Sequence, residues 1–481
     1  MTENDLMNLP IYASFIGGKL VDDAPHAFDL IAPEDGKVIG RIAEAGQAGV
    51  DKAVEAARIA FAKHRKQPTH VRIGWLRAAA KALLEAADDV AATICADVGK
   101  PIRMASFEVR RGAEFFEATA AALTQFGGET VPLDVTPAGA GHLGFVRHIP
   151  YGVVAGITPF NAPVNLLVQK VAPAIAAGNA MVAKPAPAGT RTALKLAKLF
   201  QDAGWPENLF TVVTGDKETA AALAAHDAVR AVSFTGSTSG GEALARAAGA
   251  KKFLAELGSN AANIVLDDAD IPSAAKKIAS AAFEASGQQC ISAQRVLVAQ
   301  PRLRDFLDAF VQAARALNVG KATDPKTDVG PMVSAAAAER VMAMCADAIA
   351  KGARFALEPT RQGAIVSPAV LVDVSRETRL WREEVFGPVA LVAAFDRIDD
   401  AIELANDSPF GLQGSIFTRD LGAVVRFADD FQVGALWINE ATRFRLDGYP
   451  FGGVKHSGVG REGVRYAIEE LSQLKFVGMT V

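Results

Sequence analysis

Cysteine is nearly absent. Cys95, Cys290 and Cys345 are the only three in 481 residues, an odd and scattered set that excludes a disulfide framework and offers no zinc spacing. Long apolar runs are missing too. The most apolar stretch, Tyr151 to Pro185, is interrupted by Pro159, Asn161, Pro163, Asn165, Gln169 and Lys170, which denies the run of about 20 apolar residues that a membrane span needs. No block of basic residues exists: 50 Lys and Arg against 54 Asp and Glu give a net charge of -4. That balance does not suit a protein that binds nucleic acid by neutralising phosphates. Met1 to Pro10 holds acids but no Lys or Arg, unlike a secretory or transit peptide. There is no internal repeat and no low-complexity linker, and half-apolar composition with 22% charged residues excludes a mostly disordered chain. These absences leave a cytoplasmic, enzyme-sized chain, long enough for more than one domain.

What is present begins with three alanine-rich patterns, Gly49 to His64, Val71 to Asp97 and Met104 to Phe126. Their apolar residues recur at three and four, as on one face of a packed helix. Gly127-Gly128 then reads as a helix stop. Two short extended pieces follow, Glu129 to Val135 and His142 to His148, joined by a Pro/Gly turn and too polar for a core. From Tyr151 strands and helices alternate. The strand-like runs are Gly152 to Thr158, Ala180 to Lys184, Leu209 to Thr214, Val229 to Thr235 and Lys252 to Glu256. The spacing predicts a doubly wound parallel sheet with right-handed crossovers. After Ala262 a second α/β series starts with Asn263 to Leu266, Pro272 to Ala285, Arg295 to Ala299 and Pro301 to Leu317. It continues through Val366 to Val372 and Val389 to Phe395.

Ligands of such sheets bind outside the carboxyl ends of the strands. There the sequence places Asn161 within Thr158-Pro159-Phe160-Asn161, then Lys184, Gly215, Gly236-Ser237-Thr238 and Glu256. One such polar end means little; five on one edge suit a nucleotide site beside a reaction centre. The literal G-x-G-x-x-G, Gly458 to Gly463, has no βαβ unit after it and is rejected as a dinucleotide fingerprint. Gly236 to Gly241, after a strand and opening a helix, is the better pyrophosphate cradle. Cys290, in the polar loop Gly287-Gln288-Gln289-Cys290, is placed for attack as readily as for burial. Cys95 and Cys345 sit in apolar helical patterns and read as core.

Together these residues resemble the aldehyde dehydrogenase superfamily along essentially the whole chain. The matching motifs are Pro159-Phe160-Asn161, Lys184-Pro185, Phe234-Thr235-Gly236-Ser237-Thr238, Glu256-Leu257-Gly258, Gly287-Gln288-Gln289-Cys290, Glu383-Glu384-Val385-Phe386-Gly387-Pro388 and Pro450-Phe451-Gly452-Gly453. The resemblance implies a Rossmann-like cofactor domain (1-128 and 149-257), a second α/β catalytic domain (258-450) and a small β oligomerisation element (129-148 and 464-481). It implies a homodimer or homotetramer, with no nucleic-acid or membrane partner. The implied activity is NAD- or NADP-dependent oxidation of an aldehyde to its acid. Cys290 would be the nucleophile, Asn161 an oxyanion donor and Glu256 the base for water. The implied cofactor residues are Thr158, Pro159, Phe160, Lys184, Gly215, Gly236, Ser237, Gly241, Leu257, Glu384 and Phe386.

Three departures from the family pattern stand out. Pro187 occupies the place of a ribose-binding Glu, which makes NADP as credible as NAD. Ser259 replaces a glycine, and Gln473 replaces a C-terminal Glu, which puts a proton-relay role there in doubt. Arg443, Arg445, Arg111 and Phe451 would border the aldehyde tunnel and favour a small polar aldehyde of the lactaldehyde, glycolaldehyde or semialdehyde type. Equally open is that the arginines merely pair with Asp447 and Glu440. The residue before Cys290 is Gln289, so no phosphate pocket is indicated. The rival readings are a CoA-acylating relative, a non-catalytic protein keeping the fold, and a thiol hydrolase, for which no partner His is evident.

Overall fold

The alternation after Tyr151 folds into an eight-stranded sheet in the computed structural model, which describes residues 9–21, 24 and 26–481. Met1 to Asn8, most of the acidic start, lie outside the described residues. Five parallel strands form the middle of the sheet, in the spatial order Lys252–Glu256, Val229–Thr235, Val153–Thr158, Ala180–Pro185 and Phe210–Val212. The order reverses between Val153–Thr158 and Val229–Thr235, and the crevice at such a switch point is where ligands of open α/β sheets bind. Antiparallel strands close both edges: Gly458–Val459 beside Lys252–Glu256, and the hairpin Ser14–Ile16 with Lys19–Val21 beyond Phe210–Val212. The rejected glycine motif therefore has a structural use. Gly458, at φ 146°, packs so tightly on the Ala255 carbonyl that a Cβ would collide with it.

A second, seven-stranded sheet runs Arg354–Leu357, Ala369–Val372, Val389–Phe395, Arg295–Ala299, Ala262–Val265, Gln413–Phe417 and Ala435–Ile438. All of its pairs are parallel except the first. It buries one core on each face, around Ile264, Leu297 and Trp381 on one side and Val296, Phe306 and Phe310 on the other. The fold is thus α/β with two parallel sheets, as the strand spacing implies.

The differences from the sequence reading have local causes. Val71 to Asp97 is two helices, Thr69–Glu85 and Ala87–Val98, broken where Ala86 leaves helical geometry at ψ 12°. Asp88 and Asp89 then begin the second helix, where acids suit the N-terminal dipole. Gly127-Gly128 is not a helix stop, since the helix ends at Leu123. Gly128 instead lets the chain pass against the Val146 carbonyl, with no room for a Cβ. Ser367-Pro368 splits the expected Val366 to Val372 strand into Ile365–Val366 and Ala369–Val372. Of the expected hairpin only Thr130–Val131 and His142–Pro150 are strands, and the long partner of His142–Pro150 is the same chain's Ser472–Thr480, paired over nine residues.

Candidate active site

The first sheet's strand ends meet the loops that lead into the second sheet's strands. Glu256 closes Lys252–Glu256, and Cys290 lies between helix Ile271–Phe283 and strand Arg295–Ala299. The turn before Cys290 is strained. Ala285, Ser286 and Gly287 are consecutively left-handed, at φ 52°, 58° and 63°, and each non-glycine residue there costs on the order of 1–3 kcal/mol. The Ala285 N–H donates to the Asp328 carbonyl (3.2 Å) and Ser286 Oγ to the Gly330 carbonyl (2.7 Å). Gly287 faces the Gly387 carbonyl, where any Cβ would clash. The result is a partly exposed Cys290, while Cys95 and Cys345 are buried with thiols pushed up by burial to about 11 and about 12.

Cys290 packs beside Ile291, Leu412 and Phe451. Burial followed by the nearby Glu256 charge holds its thiol well above the ordinary thiol range. Glu256 is buried, its Oε1 without a hydrogen-bond partner. Burial first, then repulsion from Glu462, raises its pKa to about 8; the thiol, Arg445 and Lys170 oppose that rise. Such a carboxyl is poised to exchange protons near neutrality. Asn161, in the turn after Val153–Thr158, donates from Nδ2 to the Gln288 carbonyl at 2.9 Å, which sets its amide beside the cysteine loop.

Four side chains around this centre were not read from the sequence. Glu108 Oε1 accepts from the N–H groups of Val164 (2.8 Å) and Asn165 (3.2 Å), so it caps helix Asn165–Ala176 from another helix while Lys100 pairs with its other oxygen. The cap anchors the chain directly after Asn161. Replacing Glu108 by Ala removes both acceptors and leaves Lys100 unpaired at a largely buried site, a loss expected to cost about 3–5 kcal/mol. The expected result is a lower Tm with kcat reduced more than KM is raised, checked by thermal melting and steady-state kinetics. Lys170, buried, reaches Ser233 Oγ and Glu462 Oε1, both at 3.2 Å. A cavity of about 20 Å³ lined by Gln169, Ser233, Glu256 and Glu462 adjoins them, room for about one water. A signal for Lys170 existed: a charge in the middle of an apolar helix. Glu462 lay inside the discarded glycine motif. Gln473, where a relay was in doubt, is exposed and bonds the Pro150 carbonyl (3.2 Å); the carboxylate facing Glu256 is Glu462.

The cofactor candidates lie along the same crevice. Lys184 is buried, and desolvation lowers its pKa to about 8 against the pull of Asp216, Glu44 and Glu218. Pro187 opens a short turn, Pro187–Gly189, three residues on. Gly215, at φ 142°, leaves no space for a Cβ between Thr219 and Glu44. Ser237 Oγ is already the N-cap of helix Thr238–Ala248, accepting from the Gly240 N–H at 3.2 Å. Its hydroxyl proton and the free N–H groups of that helix end remain for an anion. Gly236 follows the strand, packed on Phe234, and Gly241 lies against Leu257 with no room for a side chain. Thr158 is buried, and Pro159 and Phe160 follow it at the mouth. Across from them Phe386, at φ 48°, meets Phe160 edge to face at 5.9 Å. Glu384 is not a surface acid. It accepts from the Ser259 N–H at 3.0 Å, and burial raises its pKa to about 7.

The candidate substrate arginines separate. Arg111 pairs with Asp447 at 2.7 Å, as the alternative reading had it. Arg443 pairs with Glu284 at 2.5 Å, whereas Glu440 is taken by Lys277. Arg445 pairs with Glu462 at 2.9 Å and stacks on Phe451.

Comparison with known proteins shows the family. Residues 20–477 match the model of the aldehyde dehydrogenase family. The chain is 40% identical to the 3-sulfolactaldehyde dehydrogenase of Priestia megaterium, over 89% of this chain and 90% of that one. It is 36% identical to the lactaldehyde dehydrogenase of Methanocaldococcus jannaschii, over 96% and 99%. The crystal structure of NADP-dependent glyceraldehyde-3-phosphate dehydrogenase from Bacillus halodurans, complexed with NADP, superposes with a TM-score of 0.95 at 33% identity, covering 97% of this chain and 99% of that one. With a cysteine, a carboxyl and an amide gathered at the crevice between two parallel sheets, this chain belongs to the aldehyde dehydrogenase family and oxidises aldehydes to carboxylic acids with NAD or NADP.

Proposed function

We propose that the substrate is a short polar aldehyde and that Cys290, Asn161 and Glu256 perform the chemistry. The observation that carries this reading is their convergence from separate elements: a strained loop, a strand-end turn and a buried strand end. Bound NAD or NADP supplies the hydride acceptor. Lys184 fits a sugar hydroxyl, because its buried ammonium has no hydrogen-bond partner among the described residues. Gly215, Gly236, Ser237, Gly241 and Leu257 would line the pyrophosphate path, Glu384 would hold the second ribose, and Thr158, Pro159, Phe160 and Phe386 would border the nicotinamide.

The Cys290 sulfur adds to the carbonyl carbon as its proton passes to Glu256. The Asn161 amide and the Cys290 N–H receive the developing oxyanion; Asn161→Ala is expected to lower kcat by about 10²–10³-fold. Once the carbon is oxidised, Cys290 holds it as a thioester. Glu256 must first lose the thiol's proton, for which the cavity toward Glu462 offers an exit, and then takes a proton from the water that cleaves the thioester.

Residues 1-128 with 149-257 would bind the cofactor, 258-450 would carry catalysis, and 129-148 with 464-481 would serve assembly into a homodimer or homotetramer. Exposed Leu143, Leu474, Phe476 and Met479 on the His142–Pro150 and Ser472–Thr480 strands support the last part. Among the described residues no helix is long and apolar enough to cross a membrane; a cytoplasmic setting is the proposal consistent with only three, scattered cysteines.

An absorbance screen at the reduced-nicotinamide band tests the function, crossing NAD and NADP with short hydroxy-, carboxy- and aromatic aldehydes. Free acid formed one-to-one with reduced cofactor, without CoA, is expected. Strict dependence on CoA would overturn the hydrolytic step.

A further inference from the structure

The acid assigned to the nicotinamide ribose sits on a segment without regular structure. Glu383 to Pro388 runs between helix Arg379–Arg382 and strand Val389–Phe395, so neither helix nor sheet fixes Glu384. One side chain takes up that task. Gln294 Nε2 donates to the carbonyls of Leu380 (3.0 Å) and Glu383 (2.8 Å), and its Oε1 accepts from the Val385 N–H at 2.9 Å. Glu384 is thus gripped on both sides of its own Cα. Gln294 is buried, with its N–H on the Ala261 carbonyl (3.2 Å) and its carbonyl on the Leu391 N–H (2.9 Å). With both amide N–H groups and the oxygen engaged, it cannot turn without leaving buried polar groups unpaired. The clamp also belongs to the nucleophile's own loop. Gln294 lies four residues after Cys290, and between them Ser292 Oγ is pinned to the carbonyls of Ala281 and Ala282, both at 3.1 Å. Glu384 Oε1 accepts from the Ser259 N–H, while its Oε2 takes no hydrogen bond among the described residues and is left for a sugar hydroxyl. Arg340 also reaches the Glu384 and Val385 carbonyls, but it comes from helix Ala335–Ala350 and not from the cysteine loop.

We propose that Gln294 is a positioning residue for hydride transfer, holding Glu384, and through it the nicotinamide ribose, in fixed register with the Cys290 sulfur. This rests on Glu384 as the ribose acid and deepens that reading. The carbon that gives up hydride is bonded to the sulfur, and the ring that receives it hangs from the ribose. Five residues of chain therefore link the two partners of the transfer. A misplacement of about 1 Å, set far from the reacting atoms, can cost about 10²-fold in rate.

The test pairs single-turnover hydride transfer with calorimetric cofactor binding in Gln294→Met, Glu384→Gln and the double variant. Gln294→Met keeps the volume and loses all three bonds. Hydride transfer should slow by about 10–10²-fold, with KM for the aldehyde within about threefold of wild type. The Kd of the preferred dinucleotide should rise by about threefold or more, whereas that of its adenosine half, ADP or 2′,5′-ADP, should not change. The double variant should be within about threefold of Glu384→Gln alone, because both losses act through one carboxylate. Gln294→Glu, a buried acid, keeps the acceptor and, while protonated, one donor. It should recover part of the rate, its ratio to wild type falling as pH rises, and it stands as the test if Gln294→Met does not fold. Hydride transfer at the wild-type rate in either Gln294 variant overturns the proposal. So do losses that multiply in the double variant, or dinucleotide and adenosine half weakened alike, since those mark a merely structural role. If Glu384→Gln itself binds and reduces cofactor like wild type, the ribose reading fails first and takes the clamp with it.

Discussion

Cys290→Ala is expected to abolish aldehyde oxidation, lowering kcat by at least about 10⁴-fold, while cofactor binding persists. The reason is chemical: among the described residues no second thiol is placed at this crevice. Cys95 and Cys345 are buried in helices Ala87–Val98 and Ala335–Ala350. Truncation at Cys290 leaves Asn161 and Glu256 in place but gives them no covalent adduct to act on. Cys290→Ser should be nearly as inactive, because a hydroxyl is a far poorer nucleophile near neutral pH than a thiol that can pass its proton to Glu256. Single-turnover kinetics, with cofactor binding followed separately by fluorescence, check this. Activity within tenfold of wild type in Cys290→Ala would remove the nucleophile from the account.

Glu256→Gln should lower steady-state kcat by about 10²–10⁴-fold and change its form. With the proton of the partly exposed Cys290 thiol leaving to solvent, the first turnover can still release hydride, but the thioester then waits for water, so a burst of one reduced cofactor per subunit should precede a slow phase. The pH dependence follows from the same group. Burial and Glu462 raise the Glu256 pKa to about 8, so the carboxyl is mostly protonated at neutral pH and cannot accept the water proton. Wild-type kcat should therefore rise with pH through an apparent value near 8, a property of the interacting set rather than of one residue. Glu256→Gln should lose that rise. Lys170→Met removes a cation that favours the charged form, so the rise should move to higher pH. A pH profile unchanged in Glu256→Gln would assign the titration elsewhere.

Much of the fold was legible because its strands are buried on both faces and read as continuous apolar runs: Val153–Thr158, Ala180–Pro185 and Val389–Phe395 stand nearly where the pattern placed them. The break at Ala86 was not legible, since alanine carries no stop signal and a small change in ψ suffices to end one helix and start another. The resemblance and the strand ends together brought Cys290, Asn161 and Glu256 to one crevice. The residues that hold them escaped notice for a different reason. Glu108 caps a helix 56 residues away, and Glu462 meets Lys170 across 292 residues, pairings that no local pattern encodes. The arginines show the same limit. Charge alone could not say which acid each of Arg111, Arg443 and Arg445 reaches.

The account turns on a covalent intermediate at one sulfur, and the intact mass of Glu256→Gln, taken seconds after mixing with aldehyde and cofactor and followed by peptide mapping, tests it most directly. An added acyl mass on the peptide carrying Cys290, absent from the double variant with Cys290→Ala, is the predicted result. Oxidation proceeding with no adduct, or an adduct on Cys95 or Cys345, would contradict it.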